Sequence, residues 1–562
     1  MSATVPANQL PLQRLYHWER SARDRIAFTQ PLGGGQVRDY TWGQVVGEAR
    51  RMAAWLSAQG FEPGDRIAML AKNSVHWMIS DYAIWMAGFV SVPLYPTLAA
   101  GTIKQILSHS ATKLLFVGKL DGWEAMRAGV PEGLPCVAHP LAPDDAKKRY
   151  PGWDDLIAKT KPLAGEPVRP GEALSTIMYT SGTTGTPKGV MHSFANFMAA
   201  VQAGLTRIPQ NAESRMLSCL PLSHVVERAL VEHGQLHTGM RVYFAESLDT
   251  FTTDLQRARP TVFFSVPRLW VKFQQGVNHK MPQKKLAFLL RLPIIGGLVR
   301  KKILSTLGLD QCVFAAGGAA PMPQELLAWY AQLGLNIAEG YGMTENIGAS
   351  HITEGDTTDF GTVGLSYPQV NCRIAKDSGE IQVKAPWNML GYYLLPELTR
   401  ETLTEDGWLL TGDKGHEDSL GRLKITGRVK DLFKTSKGKY VAPSPIEDKL
   451  VMHQAVEACC VTGANLGQPL ALLMLNAEAM AQARGAGKAE LEASLAAHLK
   501  HVNESLDPHE RLACLVVTIE PWSVDNNLIT PTFKVKRNRL EDMFAQHYAQ
   551  WEAQRQPVIW FG

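Results

Sequence analysis

The run Tyr179-Thr180-Ser181-Gly182-Thr183-Thr184-Gly185-Thr186-Pro187-Lys188-Gly189-Val190 gathers hydroxyls, glycines and a cation into one short stretch. Glycine admits positive φ and close backbone approach, the Ser and Thr hydroxyls donate hydrogen bonds, and Lys188 adds positive charge. Those properties together suit a polyphosphate. The run is not a Walker A loop, because counting G-x-x-x-x-G-K-[ST] from Gly182 puts Pro187 where glycine is required. Other reactive residue types are less organised. The seven cysteines are scattered, with no C-x-x-C pair and no His-rich companion, so neither a disulfide framework nor a zinc site is expected. His224 stands in Leu220-Pro-Leu-Ser-His-Val-Val-Glu-Arg228, where the neighbouring Glu227 and Arg228 read as a pair with no site role.

The elements around these residues alternate between short apolar strands and helix-period stretches. Arg66–Leu70 follows the turn at Pro63-Gly64, Ser74 can cap a helix running toward Gly88, and Val90–Leu94 and Lys113–Gly118 read as further strands. The pattern recurs at Ser175–Tyr179, Met216–Leu220, Thr261–Ser265 and Val313–Ala316. Repeated βαβ units predict an α/β protein with a parallel-rich sheet covered by helices. Past roughly residue 380 the texture shifts to short strands with Gly turns, which predicts a small β-barrel-like subdomain over about 360–428. The expected division is therefore a large N-terminal domain, 1–428, and a small α+β C-terminal domain, 429–562, with helices around Pro445–His453 and Ala477–Ser505.

Composition excludes several classes. A chain of 562 residues with 45% hydrophobic and 20% charged residues can bury a large core, and a net charge of +4 gives no reason to expect a nucleic-acid partner. The N-terminus lacks the basic start and apolar stretch of a signal peptide, so a cytoplasmic protein is expected. The longest apolar run, Leu286–Val299, contains Arg291 and Pro293 and would reach roughly 21 Å as a helix against about 30 Å of hydrocarbon. It cannot span a bilayer. Lys280, Lys284 and Lys285 precede it and Arg300, Lys301 and Lys302 follow it, which fits either a segment lying on the anionic inner membrane face or a core helix pair broken at Pro293.

Seven blocks in order resemble the adenylate-forming superfamily of acyl-CoA synthetases, peptide-synthetase adenylation domains and luciferases. They are the 179–190 run, the 220–228 block, Ala316-Gly-Gly-Ala-Ala-Pro321, Glu339-Gly-Tyr-Gly-Met-Thr-Glu345, Thr411-Gly-Asp413, Gly427-Arg-Val-Lys-Asp431 and Pro531-Thr-Phe-Lys-Val-Lys-Arg537. The 220–228 block, the stretch from Lys430 to Glu447 and the segment around Lys534 look most like long-chain fatty acyl-CoA synthetases. Ser436-Lys437-Gly438 and Asn526-Asn527 depart from the family's usual turn residues, and both read as neutral.

The resemblance implies a two-step reaction: a fatty acid joins AMP with loss of pyrophosphate, and the thiol of CoA then displaces AMP. It implies ATP, Mg²⁺ and CoA, with loading of a carrier protein, or an aromatic or medium-chain acid, as the alternatives; a homodimer is expected only because dimers are the commonest soluble assembly. By the same resemblance Thr180, Ser181, Gly182, Thr183, Thr184, Gly185 and Lys188 hold the β- and γ-phosphates, Thr344 meets the α-phosphate, and Glu345 with the Thr180 hydroxyl holds Mg²⁺. Gly317, Gly318 and Ala319 approach adenine, Tyr341 stacks on it between Gly340 and Gly342, and Asp413 and Arg428 take the ribose. Lys534 is the catalytic lysine, preferred over Lys536 because Arg537 then follows three residues on; Lys430 is the hinge. His224 lines the acyl pocket, and Trp270 either obstructs that pocket until ATP binds or packs in the core.

Overall fold

The computed structural model describes residues 3–181, 187–530 and 534–562. The chain forms two compact units, one made of Met1–Ala320, Leu327–Cys372 and Val383–Leu410, the other of Pro321–Leu326, Arg373–Gln382 and Thr411–Gly562.

The first unit is built on a seven-stranded sheet whose strands run in the order Gly391–Tyr392, Pro187–Ser193, Leu174–Ser181, Val90–Leu94, Arg66–Leu70, Leu114–Val117 and Cys136–Ala138. Five of these are parallel neighbours, and the two at the Gly391 end pair antiparallel. Val90–Leu94 and Leu114–Val117 are buried at every position, the near-continuous apolar signature of strands covered on both faces. Helix Val75–Met86 is likewise buried all round, and the Ser74 hydroxyl caps it by accepting from Trp77 N at 3.3 Å. The strand and cap expected here from alternation and from Ser74 are present.

A five-stranded sheet runs Val262–Ser265, Phe314–Gly318, Ile337–Tyr341, His351–Ile352 and Leu365–Ser366, its first three strands parallel. A four-stranded sheet orders Gln36–Thr41, Ile26–Gly33, Arg241–Phe244 and Arg215–Ser218. After Val262–Ser265 come helices Pro267–Lys280, Gln283–Arg291 and Ile295–Leu307, the last two broken at Pro293 as expected. No helix among the described residues is long and apolar enough to cross a membrane.

In the second unit Leu409–Glu417 pairs antiparallel with Leu423–Arg428. A further sheet orders Val456–Thr462, Leu470–Leu475, Leu515–Thr518 and Val558–Phe561. Alternation along it separates two cores. Val461, Leu473 and Val517 pack with Ile446, Leu491, Leu495 and Leu499, whereas Cys460, Leu472 and Val516 pack with Leu540, Phe544 and Trp551. The stretch expected to be helical over 477–505 is two helices, Ala477–Ala483 and Lys488–Glu504, parted where Gly485 and Gly487 stand. All seven cysteines are free, and burial raises the thiol pKa of Cys136, Cys219, Cys312, Cys459, Cys460 and Cys514.

Candidate active site

Strands Leu174–Ser181 and Pro187–Ser193 form a hairpin in which Thr180 pairs with Lys188 and Ser181 with Pro187. The hairpin brings the two ends of the phosphate-loop run together. Gly182, Thr183, Thr184 and Gly185, and the side chain of Ser181, lie outside the described residues. The Ser193 hydroxyl then caps helix Phe194–Gly204 by accepting from Asn196 N at 3.2 Å, which fixes where the hairpin ends.

Lys188 sits over the ring of Tyr392, its ammonium 5.7 Å from the centroid. The same Tyr392 donates its hydroxyl to Glu345 Oε1 at 2.6 Å. One aromatic side chain thus spaces the phosphate-loop cation from the carboxylate. Burial, followed by the Glu345 charge, pushes the Tyr392 phenol well above its ordinary pKa, so it stays a donor. Because a carboxylate has roughly four acceptor positions, this bond orients Glu345 without filling it. Among the described residues no group of three or more His, Cys, Asp or Glu gathers as a metal site. A buried carboxylate such as Glu345 suits Mg²⁺, which takes few protein oxygens and completes its shell from phosphate oxygens and waters.

The turn that carries Thr344 and Glu345 is held on every side. Asn346 Oδ1 accepts from Met343 N at 2.8 Å, and Gly348 N donates to Met343 O at 2.9 Å. A Cβ at Gly342 would overlap the Gly348 backbone, so glycine here serves packing inside the turn. His192 Nε2 donates to Thr344 O at 2.7 Å. Burial drives the His192 pKa down to about 4, against the opposing pull of the Thr344 carbonyl, so the imidazole is neutral and donates from Nε2. Met389 N donates to Glu345 O at 2.7 Å, and Trp387 Nε1 donates to Ala349 O at 2.9 Å.

Gly317 and Gly318 end strand Phe314–Gly318, and Gly340 and Tyr341 end the parallel neighbour Ile337–Tyr341, with Gly318 in register with Gly340. Ligands of open α/β sheets bind outside such carboxyl ends. A Cβ at Gly318 would sit 2.8 Å from Gly340 O and 3.1 Å from the Phe264 ring, so this glycine also lets two strands approach. Ala319 follows with φ +67°, a left-handed kink that turns the chain away from the sheet.

The 220–228 block packs against this turn, with Val226 beside Gly348. His224 Nδ1 accepts from Val226 N at 3.3 Å and caps the short helix Val225–Glu227. Glu227 and Arg228 do not pair with each other, which corrects the expectation from their adjacency. Glu227 accepts from Ser218 Oγ at 2.8 Å and Cys219 N at 3.0 Å, and burial pushes its carboxyl up to about 8 against those bonds. Arg228 instead binds Asp81, Glu232 at 2.9 Å and Thr176 Oγ1 at 2.6 Å, opening a π-helical stretch, Arg228–His233. Trp270 is fully buried, 5.3 Å from Phe263 and 5.0 Å from Tyr330 by ring centroids, and its Nε1 has no hydrogen-bond partner.

In the second unit Arg428 Nε lies 3.0 Å from Asp413 Oδ1, the two being cross-strand partners. Lys430 is exposed in the turn after that strand. Lys534 is exposed and its N donates to Thr530 Oγ1 at 3.0 Å, whereas Lys536 Nζ is tied to Asn527 Oδ1. Arg537 is anchored on Glu447, 2.7 Å away.

Tyr392 and His192 carry contacts that no motif announced. Tyr392 shows itself only through the pairing of Gly391–Tyr392 with Pro187–Ser193, and His192 looks in sequence like one residue of an alternating strand.

Residues 15–393 match the AMP-binding enzyme family, and residues 430–553 match the AMP-binding enzyme C-terminal domain. The chain belongs to the AMP-binding enzyme family. This AMP-binding enzyme is 31% identical to a peroxisomal long chain acyl-CoA synthetase 6 of Arabidopsis thaliana, over 91% of this chain and 82% of that protein. It is 29% identical to a long-chain-fatty-acid–CoA ligase of Mycobacterium bovis, over 94% of this chain and 95% of the relative. Its fold is that of the A domain of a carboxylic acid reductase from Segniliparus rugosus solved with AMP and a co-purified carboxylic acid, with a TM-score of 0.80 at 22% identity over 97% and 94% of the two chains.

Proposed function

We propose that this AMP-binding enzyme activates a long-chain fatty acid to acyl-AMP with release of pyrophosphate and transfers the acyl group to CoA. The observation that carries the reading is identity to long-chain acyl-CoA synthetases sustained over more than nine tenths of the chain. ATP, Mg²⁺, CoA and the fatty acid are accordingly its ligands.

In the first half-reaction an oxygen of the fatty acid attacks the α-phosphorus and the bond to pyrophosphate breaks. Negative charge spreads over the phosphates, so catalysis is positioning and preorganised positive charge. Residues 180–185 with Lys188 hold the outer phosphates, Thr344 meets the α-phosphate, and Lys534 bridges it to the acid oxygen. Glu345 and Thr180 would hold Mg²⁺, which offsets phosphate charge when bound. Gly317, Gly318, Ala319 and Tyr341 take adenine, and the paired Asp413 and Arg428 take ribose. In the second half-reaction the CoA sulfur attacks the acyl carbon and AMP leaves. The C-terminal domain, 429–562, turns about Lys430 between the two steps. His224 and Trp270 line the acyl pocket.

Pyrophosphate release from ATP and Mg²⁺ with acetate, octanoate, palmitate, oleate or 4-coumarate, each with and without CoA, tests the reading. Turnover on palmitate or oleate that requires CoA is expected. Turnover confined to 4-coumarate, or acyl-AMP build-up indifferent to CoA, would replace it with an aromatic-acid ligase or a carrier-protein loader. The reading extends to contact of residues 280–302 with the inner membrane face and to a homodimer.

A further inference from the structure

We propose that the helix pair Gln283–Arg291 and Ile295–Leu307 is a membrane-docking hairpin that seats its turn in an anionic phospholipid surface, so that the acid reaches the pocket from the bilayer. From Pro267 to Leu307 the chain carries nine Lys and Arg and no Asp or Glu, although the whole chain is only +4. The charge is therefore local and of one sign.

The apolar side chains of the hairpin face outward. Phe288 is 63% exposed, Ile294 84% and Leu298 64%, while Leu286, Leu290 and Ile303 are buried beneath them. The two helices approach closely beside the turn, where a Cβ at Gly296 would lie 2.5 Å from Leu290 O. At the tip Ile294 adopts φ +64°, ψ −55°, and Ile295 N donates to Pro293 O at 2.7 Å. This is the rare strained form of a three-residue turn, in a region that β-branched residues avoid. A turn made for water would carry Gly or Asn there. Lys284, Lys285, Lys301 and Lys302 are exposed on the same two helices.

An exposed apolar tip with exposed lysines about two turns back along both helices matches a bilayer bearing anionic headgroups: the tip enters the acyl boundary and the lysines meet phosphates. Helix Pro267–Lys280 carries Trp270 in its first turn and ends at the hairpin, so about 21 Å of one helix joins the docking face to the proposed pocket. This purpose rests on the long-chain reading above; the docking itself does not.

Co-sedimentation of the full chain with vesicles of phosphatidylcholine, alone or mixed with phosphatidylglycerol, decides it. Binding to the anionic vesicles only, weakened by salt, is expected. The variant Phe288→Ser/Ile294→Ser/Leu298→Ser and the variant Lys284→Gln/Lys285→Gln/Lys301→Gln/Lys302→Gln should each lose at least about tenfold in partition. Both should keep wild-type pyrophosphate release on detergent-dispersed acid. Equal partition of variants and wild type, no vesicle binding, or a dimer that dissociates in the Ser variant without any vesicle effect would overturn the proposal. Absence of turnover on dispersed acid in wild type would sink the activity reading while leaving the vesicle result standing.

Discussion

Tyr392 is where residue-scale contacts concentrate, because Lys188 stands over the face of its ring and its hydroxyl bonds Glu345, the carboxylate proposed to hold Mg²⁺. A hydrogen bond to a charged group contributes about 1.5–3 kcal/mol, so Tyr392→Phe should weaken the apparent Mg²⁺ affinity by about tenfold or more. Glu345→Ala should raise the Mg²⁺ requirement further. Metal titrations of pyrophosphate release check both, and an unchanged midpoint in Glu345→Ala removes that residue as a ligand. Lys534→Ala should slow acyl-AMP formation by about 10²- to 10³-fold yet leave thioester formation from supplied acyl-AMP largely intact, whereas Lys536→Ala, whose ammonium is already engaged by Asn527, should do neither. Equal loss of both half-reactions in Lys534→Ala would contradict its role. The run of hydroxyls, glycines and Lys188 at 179–190 was legible because it lies in adjacent residues. Tyr392 and His192 were not, since their partners Glu345 and Thr344 stand 47 and 152 positions away. Such pairs become visible only once strands are paired.

At the scale of elements, the same distinction explains which expectations held. Arg66–Leu70 and the Ser74 cap follow from local turn, alternation and hydroxyl rules, and both are present. The supposed Glu227–Arg228 pair failed because consecutive helical residues point about 100° apart and cannot face each other. Instead the two side chains serve separate buried networks, and that separation has a pH signature. A Glu227 carboxyl raised to about 8 stabilises the fold below its unfolded pKa near 4.5, and the contribution is lost as pH rises to 8. Glu227→Gln should therefore flatten the fall in melting temperature across pH 5–9. His192 works in the opposite direction. With its folded pKa down at about 4 against 6.5 unfolded, its contribution is complete above 6.5 and is lost as pH falls from 6.5 to 4, by a few kcal/mol at most. His192→Gln keeps a side-chain donor for the Thr344 carbonyl and should retain more acyl-AMP formation than His192→Ala, with a shallower acid limb of stability.

For the molecule as a whole, the α/β class was legible from repeated strand–helix alternation, and the two family matches cover residues 15–393 and 430–553. Lys430 is the first residue of the second match and stands in a turn directly after strand Leu423–Arg428. If that turn is the hinge, Lys430→Pro, which fixes φ near −65°, should preserve acyl-AMP formation and slow thioester formation, as a rapid-quench measurement of each half-reaction would show. Parallel slowing of both would argue for simple loss of fold. How the chain divides was less legible than its class, because Pro321–Leu326 and Arg373–Gln382 cluster with the C-terminal residues despite lying far earlier in sequence.

The hidden cysteines have a consequence for an enzyme whose co-substrate is itself a thiol. Exchange with a disulfide needs a thiolate and access to it, and burial denies both to Cys136, Cys459, Cys460 and Cys514. Oxidised CoA added to the protein therefore meets few groups it could trap as a mixed disulfide, and activity should survive a disulfide challenge that inactivates enzymes with open thiols.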